Sequence, residues 1–160
     1  MSKERISSRE KLPVSVSSGV FIGDREGRLL LLKKKIEEEK FAWAPPSGKM
    51  KPHEDPMMTA KREAKEEIGV EINLLDLIRI YPTDRGDDAT GLGFVFRGEI
   101  VEGEVTPDGF EITGFNYFST SELEKLIEEN KLYKPEYNIP AIRDWIDGKS
   151  YSTEVINEIC

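Results

Sequence analysis

The stretch Gly48–Val70, GKMKPHEDPMMTAKREAKEEIGV, constrains this chain more than any other. One glutamate, Glu54, precedes a predicted helix, and Glu63, Glu66 and Glu67 lie within it. The last three stand at i, i+3 and i+4, which sets their carboxylates on or near one helical face. Like charges so placed repel by roughly 0.2–0.5 kcal/mol for each exposed pair, a cost that a cation among them would offset. The helix is delimited by its own ends: Asp55 is a side-chain cap, Pro56 fits the first helical position, and Gly69 supplies a left-handed stop. The expected span is about 56–68, with Met57, Ala60, Ala64 and Ile68 as the inward stripe.

The chain has one histidine and one cysteine in 160 residues, so a carboxylate cluster favours hard, oxygen-preferring cations. Magnesium (Mg2+) is the first choice and manganese (Mn2+) the substitute; such an ion clamps a diphosphate, neutralises its charge and activates a water. The plain alternative is a salt-bridged surface helix, since Lys61, Arg62 and Lys65 alternate with the acids and Arg62 can pair with Glu66 at i, i+4.

Composition narrows the partners. A formal net charge of −8 disfavours nucleic acid and anionic membrane, yet admits a phosphorylated small molecule if divalent cations bridge the like charges. The single Cys160 excludes an internal disulfide framework and reads as an inert terminal thiol. No apolar run reaches the roughly 20 residues that span a bilayer, and MSKERISSREK has no apolar segment behind its charges, so the expected location is the cytoplasm. Residues 1–160 read as one domain, with 1–12 a loose lead-in or short strand.

Alternation of Val14, Val16, Ser18, Val20 and Ile22 with Ser15, Ser17, Gly19 and Phe21 predicts a strand, followed by a turn at 23–27 and a second strand from Leu29, together a hairpin. The charge run from Lys33 to Lys40 reads as a solvated strand end and loop. Phe41–Ala44 is a short apolar piece stopped by Pro45-Pro46-Ser47-Gly48. Strands follow at about 70–80, with a break at 71–73, at 92–101 and at 110–118, separated by polar loops at 81–91 and 102–109. Ser119 and Glu122 form a capping box for a helix at about 120–129, and a last helix is expected at about 138–146. This order predicts an α+β fold, a mixed sheet between helices.

The spacing in the acidic stretch is specific. Gly48, five residues, Glu54, seven residues, then Arg62-Glu63-Ala64-Lys65-Glu66-Glu67-Ile68-Gly69-Val70 resembles the Nudix box, the signature of the Nudix (MutT-like) hydrolases. Seven fixed positions match over 23 residues. Trp43 with Pro45-Pro46 also fits the family, as does EITGFNYFSTSEL at 111–123. Two positions depart: Ser47 stands where members often have glycine, and His53 where many have another.

The resemblance implies an α/β/α sandwich and a hydrolase of nucleoside diphosphates linked to another group, an EC 3.6.1 type of pyrophosphatase. It implies that Glu63, Glu66 and Glu67, with the Gly48 carbonyl, hold the cation, and that Glu54 and Arg62 brace the site. The general base would be Glu66 or an acid from a later loop, Glu111 first and then Asp108 and Asp88. The substrate is left open among nucleoside triphosphates, ADP-ribose, dinucleoside polyphosphates and nucleotide sugars, with an ADP-ribose-like or nucleoside triphosphate substrate preferred. His53, Lys49, Lys51 and Tyr81 are weaker substrate-binding candidates, followed by Arg79, Arg85 and Arg97. Tyr133 and Tyr137 are further nucleobase platforms, and the Asp84, Asp87, Asp88 cluster is a solvated turn or a place for an extra cation or ribose hydroxyls. Trp43 is assigned to the core. Family members are often homodimers, and the edge of the first hairpin would offer a pairing strand. The competing function is a non-catalytic nucleotide- or protein-binding module on the same fold.

Overall fold

The computed structural model describes residues 13–86 and 89–159. The lead-in at 1–12, Asp87, Asp88 and Cys160, each named above, lie outside the described residues. Seven strands and three α-helices follow in the order β1 (Val14–Ile22), β2 (Leu29–Glu37), β3 (Lys40–Ala44), β4 (Ser47–Lys49), α1 (Pro56–Ile68), β5 (Glu71–Asp84), β6 (Thr90–Glu102), β7 (Ile112–Phe118), α2 (Thr120–Glu128) and α3 (Pro135–Ile146).

The strands form a mixed four-stranded sheet, ordered β4-β1-β6-β5, and an antiparallel three-stranded sheet, ordered β3-β2-β7. In the first, β1 runs parallel to β6 and antiparallel to β4. Both faces are covered. Val20, Ile22, Leu30 and Leu32 pack with Met57, Ala60, Ala64 and Ile68 of α1. Their neighbours Phe21, Leu29 and Leu31 belong to a second cluster with Leu123 and Leu126 of α2 and Ala141 and Ile142 of α3. Successive strand residues face opposite sides, so the uninterrupted apolar runs at 20–22 and 29–32 serve two cores at once. The α+β sandwich is therefore built with two sheets in its strand layer, where a single one was expected.

Three local expectations are corrected. β1 and β2 are not a hairpin: beyond the tight turn, they meet only at an isolated Gly23–Leu29 bridge. Each instead lies between two other strands, β1 between β4 and β6 and β2 between β3 and β7, so the edge invoked for dimer pairing does not exist. The charge run belongs to β2 as far as Glu37. β5 is unbroken from Glu71 to Asp84, absorbing its irregular stretch as register shifts, the first between Glu71 and Ile72. Of the polar loop expected at 81–91, β5 takes up 81–84 and β6 takes up 90–91; as an edge strand β5 tolerates polar residues. The last helix begins earlier than expected, at Pro135, which occupies its first turn.

Candidate active site

The helix α1 spans Pro56–Ile68 as its sequence demands. Asp55 accepts a hydrogen bond from the Met58 amide (2.9 Å) and Gly69 closes the helix at φ 71°. Ala60 and Ala64 are fully buried, which lets the helix lie close on the strands. The loop after β6 then crosses the helix C-terminus: Thr106 and Asp108 donate their amides to the Ile68 and Glu67 carbonyls (2.9 and 3.0 Å). Asp108 fastens the turn by accepting from the Phe110 and Ile112 amides (2.8 and 3.0 Å), and Glu111 follows it into the site.

Arg62 is the hub of the acidic stretch. Its Nε and Nη2 grip both oxygens of Glu54, its Nη1 reaches Glu63 Oε1 (2.8 Å) and Glu66 Oε2 (3.1 Å), and its Nη2 also donates to the Lys49 carbonyl (2.9 Å). Glu54 further accepts from the Lys51 amide (3.0 Å) and the Thr59 hydroxyl (2.8 Å). The Arg62 guanidinium holds the Glu54 carboxyl down at about 2, against an ordinary 4.5. A carboxylate with four protein donors ties the loop at 49–54 to the helix.

Glu63 and Glu67 face a cleft of about 350 Å³ between the sheets and α3. Glu67 is only 6 % exposed and accepts from the Ser47 amide (3.2 Å). Burial, and then the adjacent Glu63 carboxylate, push its carboxyl up to about 8; burial also raises Glu63, against the pull of Arg62. The Glu63 carboxylate lies directly over Gly48, where a Cβ would overlap it. Glu66 is half exposed and turned toward Arg62 and Lys51, whose Nζ stands 3.8 Å from it. Glu111 lines the same cleft, exposed, 3.9 Å from Lys34 Nζ.

Among the described residues no three acidic or imidazole side chains are drawn together as a ready metal cluster. The donor set nevertheless fits a hard divalent cation. Two carboxylates that burial holds toward the protonated form are beside a backbone with no Cβ, and both are all-oxygen donors.

The weaker candidates separate. Lys49 lines the cleft; Lys51 and His53 do not. His53 is exposed with φ 71°, which accounts for glycine at that place in the family pattern. Ser47 turns its hydroxyl to the Pro45 carbonyl (3.1 Å) and leaves its amide for Glu67, so this departure costs the site nothing. Tyr81 lies elsewhere, in the α3 core: its hydroxyl donates to Asp144 (2.7 Å), and burial, then that bond, raises its pKa. Arg79 pairs with Asp144, and Arg97 with Asp76 and the Trp145 ring, both away from the cleft. Trp43 packs edge-on to Phe118 in the core. Tyr133 and Tyr137 do line the cleft.

Lys34 and Lys134 escaped the sequence reading. Lys34 is hidden in the charge run, yet it stands over the Tyr133 ring (4.6 Å to the centroid) inside the cleft. Lys134 stands over the same ring (5.5 Å), in a left-handed conformation before Pro135. Desolvation, then Lys34, Arg85 and Lys49, lower the Lys134 pKa. The strand period would have set Lys34 on the Leu30 and Leu32 side of β2, but no signal in the sequence points to Lys134.

A family model described as NUDIX domain matches residues 13–138. Among solved structures, a NUDIX hydrolase from Nitrosomonas europaea superposes with a TM-score of 0.77 at 24 % identity, covering 91 % of this chain and 96 % of that one. A MutT protein from Methanosarcina mazei Go1 gives 0.69 at 23 % identity, covering 87 % and 97 %. An ADP-ribose pyrophosphatase from Streptococcus suis 89-1591 gives 0.60 at 17 % identity, covering 84 % and 90 %. No curated protein matches the chain. At these identities the structures speak for the fold alone.

Proposed function

The chain belongs to the NUDIX family, and from that premise we propose that it is a Mg2+-dependent pyrophosphohydrolase of a nucleoside diphosphate linked to a further group, an ADP-ribose-like or nucleoside triphosphate substrate. The observation that carries the reading is one cleft lined by both carboxylates and cations. Glu63, Glu67, Glu111 and the bare backbone of Gly48 line it together with Lys34, Lys49 and Lys134. The carboxylates suit a cation and the lysines suit phosphate oxygens.

Glu63, Glu67 and the Gly48 carbonyl would hold the ion, joined by Glu66 on turning from Arg62. Bound Mg2+ supplies charge neutralisation and Lewis acidity to a diphosphate. The remaining work falls to this chain. Arg62 holds Glu63 and Glu66 by hydrogen bonds and aims them. Lys34 and Lys134 offset charge on the phosphates. Glu111, exposed in the cleft and, among the described residues, held only by a long contact to Lys34, is the better placed general base, since Glu66 is occupied by Arg62 and Lys51. It would take a proton from the attacking water as the oxygen closes on phosphorus, and the bridging oxygen leaves with the second phosphate-bearing fragment.

The test is a screen of Mg2+- and Mn2+-dependent hydrolysis over nucleoside triphosphates, ADP-ribose, dinucleoside polyphosphates and nucleotide sugars, with products identified. Hydrolysis of at least one class, reduced about 100-fold or more in Glu67→Gln, is expected. Hydrolysis that survives replacement of both Glu66 and Glu67 by glutamine would sink the assignment. Nucleotide binding with no turnover of any class would make the chain a binding module instead.

A further inference from the structure

The cleft does not end at Lys49 and Lys134. A second chamber of about 200 Å³ adjoins it, sharing Ser17, Lys49, Lys134 and Tyr137 with the cleft and adding Ser15 and Arg85. Its origin is legible in the strand register. In the parallel pair β1–β6, Ser15 stands opposite Gly91 and Ser17 opposite Gly93. Four small residues at neighbouring positions leave a trough where larger side chains would fill the sheet face. Tyr137 packs over the glycine half of that trough: a Cβ on Gly93 would come within 2.9 Å of its ring, and one on Gly91 would strike its hydroxyl. The tyrosine is thereby fixed as the partition between the two chambers.

The charge of the second chamber is unlike that of the molecule. Lys49, Arg85 and Lys134 line it against Asp84 and Glu136, and Asp84 has one oxygen engaged by the Gly86 amide (2.8 Å). The chamber is net cationic in a chain of formal net charge −8. Burial, and then the nearby Lys34, Arg85 and Lys49, disfavour the charged form of Lys134. A concentration of cations that raises the energy of its own members is relieved by an anion among them. The hydroxyls of Ser15 and Ser17 add neutral donors of the kind phosphate accepts from.

We propose that this chamber binds a phosphate group of the substrate other than the diphosphate that is cleaved, so that the preferred substrate carries a run of three or more phosphates. A nucleoside triphosphate or dinucleoside polyphosphate satisfies it; ADP-ribose, whose far end is a neutral sugar, does not. The proposal rests on the hydrolase reading for the word substrate, while the anion site itself does not depend on turnover.

Calorimetry with inorganic tripolyphosphate and no divalent cation tests it first. Without a cation the acidic residues of the cleft offer phosphate no partner, so binding reports the cationic side chains alone. Wild-type protein is expected to bind tripolyphosphate at least 10-fold more tightly than orthophosphate, and Arg85→Ala and Lys134→Ala each to weaken it about 5-fold or more. Arg85 is an exposed loop residue, so its loss leaves the fold intact. Affinity for tripolyphosphate equal to that for orthophosphate, or unchanged in Arg85→Ala, would overturn the proposal and leave the hydrolase reading standing. In the second arm, Arg85→Ala is expected to lower kcat/KM for a nucleoside triphosphate and a dinucleoside tetraphosphate about 10-fold and for ADP-ribose less than 2-fold. Equal losses for all three would also overturn it. If nothing is hydrolysed, the hydrolase reading falls and the calorimetry still decides the site.

Discussion

Arg62 shows how a single side chain can organise a site it does not enter. It neutralises Glu54, steadies Glu63 and Glu66 and ties the loop carbonyl of Lys49 to the helix. The folded-state pKa of Glu54, about 2, lies below its ordinary 4.5. Its contribution to stability is therefore complete above about pH 4.5 and is lost as the pH falls toward 2, up to about 3 kcal/mol in all. Glu54→Gln is expected to remove most of that and to flatten the acid limb of the stability profile between those values, as read by urea denaturation at pH 7, 4 and 3; parallel acid limbs in variant and wild type would contradict it. Gly48 acts by lacking a side chain. In Gly48→Ala the new methyl meets the Glu63 carboxylate, and turnover is expected to fall about 100-fold or more with little change in Tm.

The helix α1 is the element whose sequence says most about itself. Its cap, first-turn proline and terminal glycine are local signals, and the observed span, Pro56–Ile68, carries them where expected. Asp55→Ala is expected to cost about 1–2 kcal/mol, since Asp55 also accepts from the Ile159 amide (3.1 Å). Ala64→Leu, at a fully buried position, is expected to cost about 1–3 kcal/mol by lifting the helix from the strands, and to lower activity further by moving Glu63 and Glu67 with it; thermal unfolding beside kinetics separates the two effects. Strand partnership was less legible. Alternation in β1 and the apolar run in β2 give each strand, but nothing local says that adjacent strands join different sheets. Lys34 was lost for a related reason: a run of charges looks solvated until the partner strands are known, and β2 turns out to be flanked by β3 and β7. Lys134 is brought in by α3, which no spacing in the acidic stretch could announce.

At the scale of the whole molecule, two cores share one strand layer, and the cleft opens where the sheets and α3 meet. The arrangement sets carboxylates on α1 against cations carried by β2, β4 and the start of α3, so an acidic protein acquires a local place for phosphate. Among the described residues no helix is long and apolar enough to cross a membrane. The central claim is that buried carboxylates on α1 form a cation site, and Glu67 makes it measurable. Its carboxyl holds a proton up to about pH 8, and a cation must displace that proton to bind. Mn2+ affinity, measured by electron paramagnetic resonance at half-unit steps from pH 6 to 9, is predicted to rise about 10-fold per pH unit below 8 and to level off above it, with the Glu67→Gln variant weak and flatter. An affinity independent of pH, or undiminished in Glu67→Gln, would contradict the account.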